Sequence, residues 1–408
     1  MFFMSAVLLV IGILFFIGLI IIHEFGHFIV ARRNGVEVEE FGIFFPPRLF
    51  KYKTKSGFIF SINLIPLGGF VKLKGEHDSD TEKGSFGAAS LWVKTKIMTA
   101  GVFMNLITAL IMLTIISLIG LPQLINNQFT VKSDNKIVSK AIEITYVEPG
   151  SPAAKAGLSA NDQILAIGQY GKSLKTISNV NNLPNLTASL ADQKINILYK
   201  NPVTGKIKQT SATLLSSAVV KASQVAYIKA YKAARACQVV TPPKGYLGIS
   251  PVSYSLVRST WSAPITALGL STQVTALTFK GLGNAVYGLG SIIAGTLTNN
   301  KIARQNGECS ASSQVSGPVG IFFILKQSSI LGYQFMFTII ALISLTLAIM
   351  NILPIPALDG GRLWMMLIAR LIKKPISAKT EELINAIGFI ILLIIIILVT
   401  NVDIHRFF

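Results

Sequence analysis

The sequence predicts a polytopic α-helical membrane protein of about four transmembrane helices, carrying an apolar β loop and a long inserted α+β domain. Three observations predict it. Hydrophobic residues make up 51% of the 408 and charged residues only 13%, about half the charged share of a soluble domain. Mean hydropathy is +0.59. Four apolar runs approach or exceed the roughly 20 residues that a helix needs to cross a bilayer.

The first run is Ser5 to Ala31. No Lys or Arg precedes it, and it does not stop at a small-residue cleavage site. It reads as a retained span, not a signal peptide. Near its far end stand His23-Glu24-Phe25-Gly26-His27. On a helix this spacing puts two imidazoles at i and i+4 on one face, where both can bind zinc, with Glu24 placed to take a proton from the attacking water. Ionisable groups within a membrane span are costly and mark function. A pair of interfacial histidines without metal is the plainer alternative. The motif's place in a span points to a peptidase that cuts within the membrane.

Residues 36–73 read as strands: Phe41–Phe45, Gly57–Asn63 and Gly69–Leu73, separated by Pro46-Pro47 and Lys55-Ser56-Gly57. A second span follows, Met98 to Ile119. The polar stretch beyond it reads as a mixed domain over residues 122–256. There Ser151 is a helix N-cap, Pro152 the first helical residue and Gly157 the stop. Trp261 to Leu297 carries one charge, Lys280. It is rich in Thr, Ser, Gln and Gly, which favours helices lying on the outer membrane surface over a fifth span.

A zinc peptidase needs a third protein ligand. The third span, Phe335 to Ile355, runs into Asn351-Ile352-Leu353-Pro354-Ile355-Pro356-Ala357-Leu358-Asp359-Gly360-Gly361. Two prolines break the helix and the glycine pair permits a tight turn. Asp359 then reaches the depth of the histidines. Taken alone it reads as a helix cap; beside the His-Glu motif it reads as the ligand. Asn351 either joins the site or bonds carbonyls freed by the prolines. The fourth span has its core at Ile387 to Thr400.

Arg32, Arg33, Lys94 and Lys96 flank one loop, and Arg370, Lys373, Lys374 and Lys379 occupy another. The positive-inside rule puts both in the cytoplasm, and the termini and the insert outside. This accounts for part of the net charge of +19. Binding of the insert to anionic lipid headgroups is the plain reading of the rest. The basic residues are scattered without a basic helix or an aromatic–basic register, so no nucleic-acid partner is expected. The expected division is 1–33 (first transmembrane helix), 34–96 (cytoplasmic β loop), 97–121 (second helix), 122–256 (extracytoplasmic domain) and 257–332 (surface helices). Then come 333–361 (third helix), 362–382 (basic loop) and 383–408 (fourth helix and C-terminus).

The His-Glu motif and the late N-I-L-P-I-P-A-L-D-G-G resemble the site-2 protease family of intramembrane zinc metalloproteases, in its bacterial regulator-of-sigma-E branch. Ala100-Gly101-Val102-Phe103-Met104-Asn105 and Ser316-Gly317-Pro318-Val319-Gly320 also match. The resemblance implies one Zn2+ per chain held by His23, His27 and Asp359, with Glu24 as base. It implies that Asn351 holds substrate or the developing oxyanion, and that Asn105 packs helices or lines the active site. The edge strand Gly69-Phe70-Val71-Lys72-Leu73 would pair with an unwound substrate, because an intact helix shields its own peptide bonds. Residues 146–167 and Gly245 to Ile249 resemble a circularly permuted bacterial PDZ domain, with Tyr246, Leu247, Gly248 and Ile249 as its peptide-binding loop and strand.

Implied partners are the lipid bilayer, single-span membrane substrates such as anti-sigma factors, remnant signal peptides, and an upstream site-1-type protease. The implied site of action is the bacterial cytoplasmic (inner) membrane, as a multi-pass protein. The chain departs from the family pattern at Val102, where many members have Pro, and at Arg362, where many have His. Cys237 and Cys309 fit either a disulfide or two unrelated thiols. Two rival classes stand beside the peptidase: a membrane scaffold without catalysis, which the complete ligand set argues against, and a metal transporter, which the lack of an internal repeat argues against.

Overall fold

The structure, a computed structural model, describes residues 2–76, 80–177, 179–202, 204–233, 240–312, 317–374 and 376–407. In chain order it runs α1 (Phe2–Arg33), β1 (Val38–Lys53), β2 (Ile59–Leu73), α2 (Leu91–Ile119), β3 (Leu121–Pro122), β4 (Lys136–Val147), α3 (Pro152–Lys155) and β5 (Gln163–Gln169). It continues with β6 (Lys175–Thr176), α4 (Asn182–Ser189), β7 (Lys194–Lys200), β8 (Ile207–Thr213), α5 (Ser217–Ala233) and β9 (Ile249–Arg258). Then follow α6 (Ala263–Leu297), α7 (Lys301–Ser312), α8 (Pro318–Leu331), α9 (Tyr333–Ile352), α10 (Asp359–Ile372) and α11 (Ala378–Phe407). The chain forms two compact units, residues 10–114, 316–325 and 337–408, and residues 1–9, 115–315 and 326–336.

Four helices are long and apolar enough to cross a membrane: Ser5–Arg33, Leu91–Ile119, Tyr333–Ile352 and Ala378–Asn401. The protein is a multi-pass membrane protein with a β domain. The apolar runs underestimate two helices. α2 starts at Leu91, before the expected Met98, and α11 at Ala378, before the expected 383. Apolar composition marks what suits lipid, whereas helical hydrogen bonding continues through Lys94, Lys96, Glu381 and Glu382. α9 ends at Ile352, because Pro354 lacks the N–H that would continue the ladder. Trp261 to Leu297 falls almost wholly in α6, which is not among the four apolar helices.

In the first unit, Gly26 of α1 lies so close to α2 that an added Cβ would stand 2.7 Å from the Ala100 carbonyl oxygen. The Ser344 hydroxyl of α9 donates to the Asn105 carbonyl at 2.8 Å, and Phe15 meets Phe337 edge-on at 5.1 Å. Ala31, Val36, Leu73, Phe86, Ile97, Met98 and Leu363 form one buried cluster. The Asp403 carboxylate of α11 accepts from the Gly317 and Gly320 N–H groups, both at 2.8 Å. It thereby satisfies orphan donors at the start of α8.

The β loop is more elaborate than three strands. Residues 40–43 take partners on both sides, 69–72 on one and 59–62 on the other, and 48–53 pair with 59–63. The segments therefore lie in the order 69–73, 38–43, 59–63, 48–53. Phe44 turns at φ +66° and Pro46-Pro47 carry the chain round. The Glu40 carboxylate, buried in this sheet, accepts from Ser61 Oγ at 2.6 Å and from Arg48 Nε at 3.1 Å. Among the described residues, 69–73 bonds no strand on its outer side, as an edge does.

In the second unit a sheet runs β3-β9-β4-β5-β7-β8, with β6 on β5. Ile142, Ile144, Ile164, Ile167, Ile195, Ile197 and Leu247 fill its core. Alternation of apolar and polar residues along β7 puts Ile195, Ile197 and Tyr199 inside. The predicted cap holds: Ser151 Oγ accepts from the Ala154 N–H, and Gly157 stops the turn at φ +77°. Gly248 takes φ +74° against Ser151, where a side chain would collide. The Leu247 and Gly248 carbonyls accept from the Ala153 and Glu148 N–H groups at 3.0 and 2.9 Å.

Glu143 of β4 is 2% exposed. Loss of solvent pushes its carboxyl up to about 7; burial, and after it the charge of Glu143, raises the nearby Tyr254 hydroxyl. A carboxyl with a raised folded pKa contributes stability that is fully present below its unfolded value and is lost as pH rises through about 7. Glu143→Gln should therefore stabilise the protein by about 2 kcal/mol at pH 8, with little effect at pH 5. Thermal melts at the two pH values check this; equal shifts at both would contradict it.

Candidate active site and metal centre

His23 and His27 stand one turn apart on α1, so their rings point the same way. Their Nε2 atoms are 3.3 Å apart. The Asp359 Oδ2 atom lies 2.9 Å from His23 Nε2 and 3.0 Å from His27 Nε2. These three ligand atoms form the one group of three or more potential metal donors among the described residues. Asp359 is the first residue of α10, after an extended Leu358 N-cap with no side-chain cap bond. Its carboxylate turns to the histidines and not to its own helix, so the capping alternative falls.

The turn that delivers Asp359 is tight. Ala357 adopts φ +73°. Cβ atoms at Gly360 or Gly361 would collide with the backbone of residues 352–356. The Trp364 indole N–H donates to the Ile352 carbonyl at 3.2 Å and ties α10 back to the end of α9.

Both histidines are oriented from behind. The His27 Nδ1–H donates to the Ile97 carbonyl at 2.7 Å, which leaves Nε2 free as a ligand. His23 Nδ1 faces the Asn105 amide at 3.3 Å. The two amide atoms of Asn105 differ little in shape; with Oδ1, otherwise buried without a partner, turned to the ring, it accepts from His23 Nδ1–H. This is the tautomer a metal-ligating Nε2 requires. Gly101 of α2 supplies the room. A Cβ there would lie 2.6 Å from His23 Cε1 and closer still to His27 Nε2. Donor set, tautomers and space all fit zinc with two His and one carboxylate ligand.

Glu24 lies against the edge segment. A Cβ on Gly69 would stand 3.0 Å from Glu24 Cγ. Asn351 Nδ2 comes within 3.5 Å of His23 Nε2. The fold thus gathers His23, Glu24, His27, Asn105, Asn351, Asp359 and Gly69 to Val71. Further along the edge, Lys72 pairs with Glu39 at 2.7 Å, and the Leu73 N–H donates to Glu76 Oε1 at 3.0 Å. Tyr246, Leu247 and Gly248 lie in the loop before β9 and Ile249 begins that strand, all in the second unit. Cys237 lies outside the described residues, as does the Cys309 side chain, and so does their pairing. Three contributors escape sequence reading: the Ile97 carbonyl, Gly26 and Gly101. Each acts through contact between α1 and α2; Gly26 and Gly101 lie within sequence motifs, but the sequence assigns them no role.

An apolar helix that presents two histidines and a glutamate, met by an aspartate from a broken second helix, defines a membrane-embedded metallopeptidase. The model of peptidase family M50 matches residues 11–395, and the chain belongs to that family. Similar curated proteins are provisionally named zinc metalloproteases. One from Clostridium perfringens is 31% identical, with 97% of this chain and 98% of the relative aligned. One from Clostridium acetobutylicum is 30% identical over 98% of each. One from Campylobacter jejuni is 30% identical over 99% of this chain and 93% of the relative. The protein is a zinc metalloprotease.

Gly101→Ala should push both imidazoles aside and weaken zinc at least tenfold while the protein still accumulates in membranes. Competition with a chromophoric chelator measures this; unchanged affinity would mean that the rings do not need the space.

Proposed function

We propose that the protein is an intramembrane endopeptidase that cuts single-span membrane proteins, such as anti-sigma factors, or remnant signal peptides. The cut would follow a first one by a site-1-type protease. The observation that carries the proposal is that His23, Glu24 and His27 all lie on Ser5–Arg33, a helix long and apolar enough to cross a membrane. A site built on such a helix meets substrates that share its apolar surroundings.

Zinc held by His23, His27 and Asp359 would lower the pKa of a water toward about 7 and polarise the scissile carbonyl. Glu24 is the general base: it takes the proton from the attacking water and passes it to the leaving amine. The Asn351 amide stands beside His23, where an N–H can stabilise the oxyanion. Asn105 fixes the His23 tautomer rather than touching substrate. The edge at Gly69 to Leu73 passes Glu24 with no strand on its outer side among the described residues, where an opened substrate helix can add as a further strand. Because Gly69 has no side chain, the edge can approach the base closely.

In this reading the β domain of the second unit is a PDZ domain outside the cytoplasmic membrane. Its Gly245–Ile249 loop either takes a newly exposed C-terminus or screens out bulky outer domains. Both termini lie on the same side as this domain.

Cleavage of a truncated single-span reporter in membranes tests the proposal. Glu24→Gln should lower it at least a thousandfold with zinc still bound. Asn351→Ala should lower kcat about a hundredfold, the usual cost of one oxyanion donor. A Glu24→Gln protein that cleaves like wild type would end the mechanism.

A further inference from the structure

The edge segment is held at one end by Glu24 and at the other by α10. Just beyond Leu73, Glu76 accepts the Leu73 N–H on Oε1. The Glu76 carbonyl accepts from Arg362 Nη2 at 3.0 Å, and its Oε2 lies 3.7 Å from Arg362 Nη1. The third guanidinium nitrogen, Nε, lies 3.7 Å from Glu381 Oε1 of α11. Every nitrogen of this side chain is thus engaged. Arg362, Glu381, Met98 and Met366 line one cleft. Arg362 also stands three residues after Asp359, one turn along the same helix.

We propose that Arg362 is a positioning residue that clamps the substrate edge strand to the first turn of α10. The segment passing the base Glu24 and the helix carrying Asp359 then keep one register. The connection runs from Asp359 along one helical turn to Arg362, through Glu76 to Leu73, and along the edge strand to Gly69 beside Glu24. Arg362 touches neither substrate nor metal; it sets where the strand stands relative to them. A guanidinium suits this because its planar fork fixes direction as well as charge, which a lysine ammonium does not. The pairs are partly exposed, so their worth lies in geometry rather than in stability. The inference rests on the edge strand being the substrate strand.

The experiment uses the full-length, zinc-loaded protein in detergent, as wild type, Arg362→Gln, Arg362→Lys and Glu381→Gln. Hydrogen exchange is read over residues 69–76 and, as reference, over 48–53, which pair with 59–63 and not with the edge, together with zinc content and kcat and KM on a single-span substrate. With Arg362→Gln, exchange over 69–76 should rise at least tenfold while 48–53 is unchanged and zinc stays at one per chain. The value of kcat/KM should fall ten- to a hundredfold, mainly in kcat, since small misplacement of reacting groups costs rate. Arg362→Lys and Glu381→Gln should fall between, and they carry the test if Arg362→Gln does not accumulate. Unchanged exchange over 69–76 in these variants would overturn the proposal, as would a rise spread evenly over both segments. If the wild type cleaves nothing, the peptidase reading fails, while the exchange data still decide the clamp.

Discussion

The structure depends on one convergence: the Asp359 carboxylate held between the Nε2 atoms of His23 and His27. Three ionisable groups here stand at the ends of apolar helices, where an unpaired charge costs several kcal/mol. They are tolerated because each has a partner and because a metal ion is the natural occupant of such a donor set. The local features around them serve that convergence. Gly26 and Gly101 let α1 and α2 touch, so the rings fit between helices instead of forcing them apart. The Ile97 carbonyl and Asn105 then fix which ring nitrogen is the ligand.

The second half of the site solves a different problem, delivering an aspartate from a helix that must end first. Pro354 and Pro356 stop α9, and Ala357 reverses the backbone at positive φ. Gly360 and Gly361 then let α10 restart against the turn itself. The helix break therefore places Asp359 and Asn351 together. The β loop closes the site from another direction. Among the described residues its edge segment pairs with a strand on one side only, and Gly69 sets the distance to Glu24.

Much of this was legible in the sequence, for local reasons. Five residues with i, i+4 histidines specify their own geometry once the segment is helical. An aspartate after two prolines and before two glycines can hardly lie inside a helix. The cap at Ser151 and the stop at Gly157 are equally local. What escaped depends on distant contacts. Gly101 looked like one more small residue, because the rings it admits belong to another helix. The strand at 48–53 was missed because the prolines read as an end, whereas they turn the chain so that it pairs again with 59–63. The true starts of α2 and α11 were hidden because lysines and glutamates continue a helix that hydropathy has already abandoned.

The most direct test of the account is to map the scissile bond by mass spectrometry. Purified protein would be reconstituted in lipid with a single-span substrate, with and without a zinc chelator. The account predicts a cut within the apolar segment of the substrate that disappears with the chelator. A cut confined to the soluble flanks, or one that persists without zinc, would contradict it.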